Sequence, residues 1–321
     1  MSDAAESARI RSLRPAKPPV DPWRPLDILE EEERGRDGRL RSSVTVFLAG
    51  GECPFACVFC DLWQYTLDEP TPRGAIPQQL EVALASLQGA ATPHSIKLYN
   101  ASNFFDGRAV PPEDLDTIAH QLAGFRRVTV ECHPRLVGES CFRFAEHLEG
   151  QLEVAMGLET IHPQALPRLN KQMTLADFDR AVGLLLENHI GARAFVLLSP
   201  PFVPARESVE WSVRSVCYAW ERGVEVVSLI PLRVAAGEMQ RLTGTGEHEP
   251  PTLEMFDEAM ASSLALGGGV VLADLWDLEK MLGCANCRQA RIEHLREMNR
   301  TGAPGVPVEC DRCPSPTAGH E

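Results

Sequence analysis

The chain has 321 residues, 44% of them hydrophobic, and a formal net charge of −14. That length and apolar content suffice for one large domain, or for one domain with a small appendage, and no apolar run approaches the ~20 residues of a membrane span. The acidic balance argues against a general nucleic-acid binder, which is normally basic overall.

Residues 1–40 are rich in Pro, Arg and Glu, show little periodicity, and read as a mostly irregular lead-in. Met1 to Pro19 is polar and basic, without the apolar segment of a secretion signal, so the expected location is cytoplasmic, with no membrane association. The acidic run Glu30 to Glu33, followed by Arg34, Arg36, Arg39 and Arg41, reads as solvated charge. A regular alternation begins at Val44. Strands are expected at 44–48, 95–99, 128–131, 152–158, 194–198, 224–230 and 269–273. Helices are expected at about 77–87, 112–122, 175–188, 208–222 and 253–266, with Pro112 in a favoured first turn and Thr174 with Asp177 as a box-like N-cap. Near-continuously apolar strands separated by helices indicate an α/β fold, a parallel sheet with helices outside it. The expected organisation is a lead-in over 1–40, a core over 41–275 and an extension over 276–321. In the extension, Arg288, Arg291, Arg296 and Arg300 interleave with Glu293 and Glu297, the pattern of a solvated helix face.

Seven of the ten cysteines fall into tight spacings, which reads as metal binding rather than disulfides. Directly after the first apolar strand comes Cys53-Pro-Phe-Ala-Cys57-Val-Phe-Cys60. Three thiolates can hold three irons of a cubane cluster and leave the fourth iron open. A zinc knuckle usually comes as two C-x2-C pairs, and no fourth ligand lies near this run. A second set, Cys284-Ala-Asn-Cys287 and Cys310-Asp-Arg-Cys313, offers four thiolates and thus a closed site. Zn²⁺ and a second [4Fe–4S] cluster both accept four thiolates, so spacing alone leaves both open. Structural Zn²⁺, folding residues 284–313 against the barrel, is the plainer expectation because all four ligands are present and none is left open. Cys132, Cys141 and Cys217 stand singly and are expected as small buried apolar residues.

The C-x3-C-x2-C run, with Gly50-Gly51-Glu52 before it and Phe59 before its last cysteine, resembles the radical SAM superfamily. The resemblance covers about residues 44–275, the core shared with Elp3-like and MiaB-like members. More narrowly, several segments look like the radical SAM subunit of archaeosine synthase: Lys97-Leu-Tyr with Phe104-Phe105-Asp106, Gly157-Leu-Glu-Thr160, Asn170-Lys171 with Asp177-Phe178, and Pro200-Pro-Phe202. The resemblance implies a partial TIM barrel of six or seven βα units, followed by a small four-cysteine metal subdomain. It also implies a [4Fe–4S] cluster on Cys53, Cys57 and Cys60 that chelates S-adenosylmethionine. Reduction would cleave that cofactor to a 5′-deoxyadenosyl radical, which abstracts hydrogen from substrate. The electron would come from a donor such as ferredoxin or flavodoxin.

In such barrels the chemistry lies at the C-terminal ends of the strands. By that rule Gly51, Asn100, Ser102 and Glu159 are expected around S-adenosylmethionine. Glu131, His133 and Arg233 are expected toward the substrate, Arg233 as a carboxylate or phosphate ligand. A lone His beside Pro is also a common structural residue, and Glu159 also reads as an ion-pair partner that anchors the next loop. Arg193, at the opposite end of its strand, reads as a stability residue. Asp274, Trp276 and Asp277 follow the last strand and would close the mouth. The narrower resemblance points to a modified tRNA nucleoside as substrate, with tRNA or a tRNA-modifying subunit as partner and phosphates near basic surface such as Arg288 and Arg291. A small molecule or peptide is the alternative substrate, and a non-catalytic iron–sulfur or zinc scaffold the alternative of another class.

Overall fold

A computed structural model describes residues 3–87 and 93–313, so residues 314–321 of the expected extension lie outside the described part. One eight-stranded sheet runs in sequence order: β1 (Asp27–Arg34), β2 (Leu40–Phe47), β3 (Ser95–Tyr99), β4 (Arg127–Glu131), β5 (Gln151–Glu159), β6 (Gly191–Leu198), β7 (Val226–Pro231) and β8 (Val270–Ala273). The β1–β2 pair is antiparallel and all later pairs are parallel, so every strand from β2 onward ends on the same rim. Helices α1 (Asp3–Ser12), α2 (Ala75–Ser86), α3 (Leu115–Gln121), α4 (Glu139–His147), α5 (Leu175–Glu187), α6 (Ala205–Glu221), α7 (Glu238–Gly244), α8 (Leu253–Leu266) and α9 (Arg288–Thr301) complete the chain. The architecture is a partial TIM barrel with a C-terminal four-cysteine cluster.

Two faces of the sheet carry different chemistry because side chains alternate along a strand. Val44, Val46, Ile96, Leu98, Val128, Val130, Val154, Met156, Ala194 and Val196 point outward and join one buried cluster with Leu80, Ile118, Phe144, Phe178, Val216 and Phe256 of the helices. Inside the barrel the floor is ionic instead. Arg193 bonds Glu153 at 2.8 Å and also pairs with Glu33, while Lys97 bonds Glu31 at 2.8 Å and pairs with Glu33. Arg127 and Thr129 reach Glu153 at 2.8 and 3.0 Å. Burial alone would raise the Glu33 pKa, but the Arg193 and Lys97 charges hold it well below the ordinary range. The inner positions therefore depart from the near-continuous apolar character expected of these strands.

Among the described residues, the lead-in over 1–40 is irregular only over 13–26 and 35–39. Asp27–Arg34 pairs with Leu40–Phe47 along its whole length, Asp27 opposite Phe47 and Arg34 opposite Leu40. Its acidic residues gain partners only in the folded barrel, where Glu31 and Glu33 meet Lys97 and Arg193. Those ion pairs outweigh the low strand propensity of a Glu run. Asp3–Ser12 forms a helix that reaches Asn170 through Ser7 and Glu238 through Arg9. The Thr174 cap of α5 forms as expected, with Asp177 bonding back to the Thr174 N–H. Short helices α4 and α7 were not foreseen, since each offers only a few buried positions to a periodicity reading.

Candidate active site and metal centre

The cysteine loop leaves β2 at the C-terminal rim. Two glycines let it turn there: a Cβ on Gly51 would stand 2.3 Å from the Arg108 carbonyl, and one on Gly50 would stand 3.0 Å from that of Ala109. The Thr71 hydroxyl joins the two layers, accepting the Gly51 N–H at 2.8 Å and donating to the Ala109 carbonyl at 2.6 Å. Gly51 is thus occupied in building the turn. Farther along, Val58 N–H donates to the Leu169 carbonyl and Asn170 donates to that of Ala56, so the loop is fixed from both sides.

All three loop thiols have raised pKa values from burial, Cys57 to about 12 and Cys60 well above its ordinary value. The thiolate rather than the thiol is the metal ligand, and the Lys171 charge, which lowers the Cys53 and Cys57 values, works against the effect of burial. Asn103 organises the nearest one, donating from Nδ2 to Cys53 Sγ at 3.2 Å while its Oδ1 accepts the His133 N–H at 2.6 Å.

His133 lies against the loop. Its ring stacks on Phe55 at 3.8 Å between centroids, and Nδ1 accepts the Arg135 N–H at 3.2 Å. Nε2, 3.0 Å from the Lys171 carbonyl, therefore carries the proton. Burial, reinforced by the Lys171 charge, takes its pKa down to about 3. Both nitrogens are engaged by the backbone of the site's own walls. Glu131 and Asn100 meet at the ends of β4 and β3. The Glu131 carboxylate accepts the Asn100 N–H at 2.6 Å and bonds the backbone of Ala101 and Ser102 as well. Burial nevertheless lifts its pKa to about 7. The turn it holds is tight, with Ala101 at φ 54°. Above it, Asn100 Oδ1 and Nδ2 and Ser102 Oγ are buried with no hydrogen-bond partner.

Glu159 ends β5 in a left-handed conformation, φ 65°, and bonds Lys171 at 2.6 Å. Its neighbour Gly157 makes room, because a Cβ there would lie 1.9 Å from Glu159 Oε1 and 2.4 Å from Lys171 Nζ. Arg233, after β7, turns to β8: it bonds Asp274 at 3.2 Å and the Trp276 carbonyl at 2.5 Å, and it faces Asp61 beside the last loop cysteine. Sequence reasoning missed an aromatic layer between mouth and floor. Tyr99 packs edge-on to Phe195 at 6.0 Å and to Phe47 at 6.4 Å, and Phe47 to Trp276 at 6.1 Å. Phe47, Tyr99 and Phe195 occupy inner strand positions, a signal visible only once the inner face is known, while Trp276 lies in the loop after β8, as expected.

Apart from this mouth stands the C-terminal set. Cys284, Cys287, Cys310 and Cys313 bring their sulfurs within 4.8 Å of one another; among the described residues the three loop thiols do not meet that spacing. Arg291 is buried, donating to Cys287 Sγ at 3.3 Å and Asp257 at 2.6 Å, and Arg288 donates to the Met281 carbonyl at 2.7 Å. Arg291 is therefore not free basic surface, contrary to the expectation of phosphate contacts there, while Arg288 is half-buried over the chain's own carbonyls. Cys132 and Cys141 are buried as expected, whereas Cys217 is half-exposed, its Sγ 3.6 Å from Glu221.

No family model matches the chain. An uncharacterized protein of Methanocaldococcus jannaschii is 24% identical over 246 residues, covering 73% of this chain and 67% of that protein. The archaeosine synthase subunit beta of Thermococcus kodakarensis is 26% identical over 205 residues, covering 62% of this chain and 63% of that protein. Among solved structures, the archaeal Elp3 of Methanocaldococcus infernus with an N-terminal deletion aligns at TM-score 0.53 and 14% identity, over 68% of this chain and 58% of that one. The chain shares its fold with Elp3. Among the described residues no helix is long and apolar enough to cross a membrane.

Proposed function

We propose that this chain is a radical SAM enzyme, with a [4Fe–4S] cluster on Cys53, Cys57 and Cys60 and S-adenosylmethionine beside it. One observation carries the reading: three half-buried thiols share the barrel mouth with three buried, unpartnered polar atoms of Asn100 and Ser102. Each unmet group costs about 1–3 kcal/mol, which a ligand offering both donors and acceptors removes. An amino-acid headgroup is such a ligand, and three thiolates leave one iron open to receive it.

When bound, this pair of cofactors supplies reductive sulfonium cleavage and hydrogen abstraction from substrate. The chain's own residues do the positioning. Glu131 fixes the turn that aims Asn100 and Ser102, and Asn103 steadies Cys53. The Lys171–Glu159 pair supplies a buried cation near Cys57 and Cys53, and Glu159 remains the candidate for a ribose diol. The rings of Phe47, Tyr99 and Phe195 stand between the site and the ionic floor and line that side with apolar surface, with Trp276 at its solvent edge. Arg233 with Asp274 lies where a charged part of the substrate would enter, and neutral His133 serves as a wall rather than a proton carrier.

A modified tRNA nucleoside is the substrate that this reading favours, supported by the relative named archaeosine synthase subunit beta. With a net charge of −14, affinity for RNA would come from a partner subunit, and electrons from a ferredoxin- or flavodoxin-type donor. Anaerobic reconstitution followed by dithionite and S-adenosylmethionine tests the chemistry. 5′-Deoxyadenosine is expected from the natural chain and none from the Cys53→Ala, Cys57→Ala, Cys60→Ala variant; equal yields from both would overturn the proposal.

A further inference from the structure

The four C-terminal sulfurs are spaced for a single ion. Cys284 Sγ lies 3.9 Å from Cys310 Sγ, and Cys287 Sγ 3.7 Å from Cys313 Sγ. A tetrahedral ion with metal–sulfur bonds of ~2.3 Å puts its ligands ~3.8 Å apart. A cubane carries its thiolates on irons at separate corners, which spreads the sulfurs well beyond that. From this spacing we infer that Cys284, Cys287, Cys310 and Cys313 form a mononuclear tetrathiolate zinc centre whose role is to brace the open seam of the barrel. The inference does not depend on the barrel's chemistry.

The surroundings fit a charged, closed centre. Four thiolates on one divalent ion leave a net charge of about −2, and the Arg291 guanidinium offsets part of it by donating to Cys287 Sγ. Asp257 of α8 holds that guanidinium at 2.6 Å and His294 Nδ1 at 2.6 Å, while His294 Nε2 reaches the Pro304 carbonyl at 2.8 Å. Glu254, also of α8, accepts the Cys284 N–H at 2.8 Å. Metal and hydrogen bonds thus tie the segments at both ends of α9 to α8.

What that attachment secures is the sheet's unpaired margin. Helix α9 packs on both β8 and β1, the two edges that the partial barrel leaves apart. Asn299 completes the β8 edge, accepting the Ala273 N–H at 2.7 Å and donating to the Ala273 carbonyl at 2.9 Å. An exposed edge otherwise invites pairing with another chain.

Two measurements test this. Metal analysis and absorption spectroscopy of the Cys53→Ala, Cys57→Ala, Cys60→Ala variant should find about one zinc per chain, and Co²⁺ exchange should give a tetrahedral thiolate spectrum. Four irons would overturn the mononuclear centre, and one iron the zinc. Amide hydrogen exchange then tests the brace in the otherwise natural chain. Cys310→Ser with Cys313→Ser should speed exchange in residues 270–273 and 288–301 by about tenfold or more, while β3 to β5 stay protected. If the variant fails to fold, chelation of the natural chain gives the same readout. Unchanged protection of those segments after metal loss would sink the bracing role.

Discussion

Lys171 Nζ stands 2.6 Å from Glu159 Oε1 in the barrel rim, both side chains less than a tenth exposed, with Gly157 beneath them, where a Cβ would push the pair aside. The pair joins the end of β5 to the loop before α5, whose Leu169 and Asn170 grip the cysteine loop. Burial would lower the Lys171 pKa, but Glu159 first, and then Cys57, hold it above its ordinary value.

Breaking the pair should therefore cost more than an exposed ion pair would. Lys171→Met leaves a buried carboxylate without its cation, worth about 3–5 kcal/mol of stability by urea unfolding. Reconstituted iron content should fall with it. A loss within about 0.5 kcal/mol would show that Glu159 finds water instead.

Glu131 gives a pH signature. Its pKa rises from an ordinary 4.5 to about 7 because it is buried. The folded chain then holds this proton more tightly than the unfolded chain, so its contribution is fully present below pH 4.5 and is lost as pH climbs through about 7. In Glu131→Gln that downward slope in stability should flatten. Unfolding midpoints of both chains across this window decide the matter.

Asn100 and Ser102 should act on cofactor binding without touching the cluster. Asn100→Ala removes two unmet polar atoms from the mouth. Affinity for S-adenosylmethionine is expected to drop by roughly 10–100-fold, about 1.4–2.7 kcal/mol, at unchanged iron content. Equilibrium dialysis of the reconstituted proteins measures it, and equal affinity would remove Asn100 from the site.

Arg193 should affect stability alone. Arg193→Met leaves Glu153 only Arg127 and Glu33 only Lys97 as cationic partners, so it should cost about 1.5–3 kcal/mol rather than the full penalty of an unpaired buried charge. Because the aromatic layer lies between, the surviving folded fraction should make 5′-deoxyadenosine at the natural rate per cluster.

Spacing and local pattern by themselves determined a good deal. The C-x3-C-x2-C run and the two C-x2-C pairs mark candidate metal ligands because ligand geometry is written into short separations. The parallel strands from β2 onward announce themselves by their outward Val, Ile and Leu, and the α5 cap by Thr174 and Asp177. Only the tertiary structure decided which side of each strand faces the barrel. It turned an acidic lead-in into β1 because Lys97 and Arg193, 66 and 160 residues from their partners, neutralise its glutamates. It also withdrew Arg291 from the surface to Cys287 and Asp257, and placed Glu131 under the Asn100 turn. Such contacts depend on burial and on partners remote in the chain, and neither is encoded in the neighbouring residues that a sequence pattern reads.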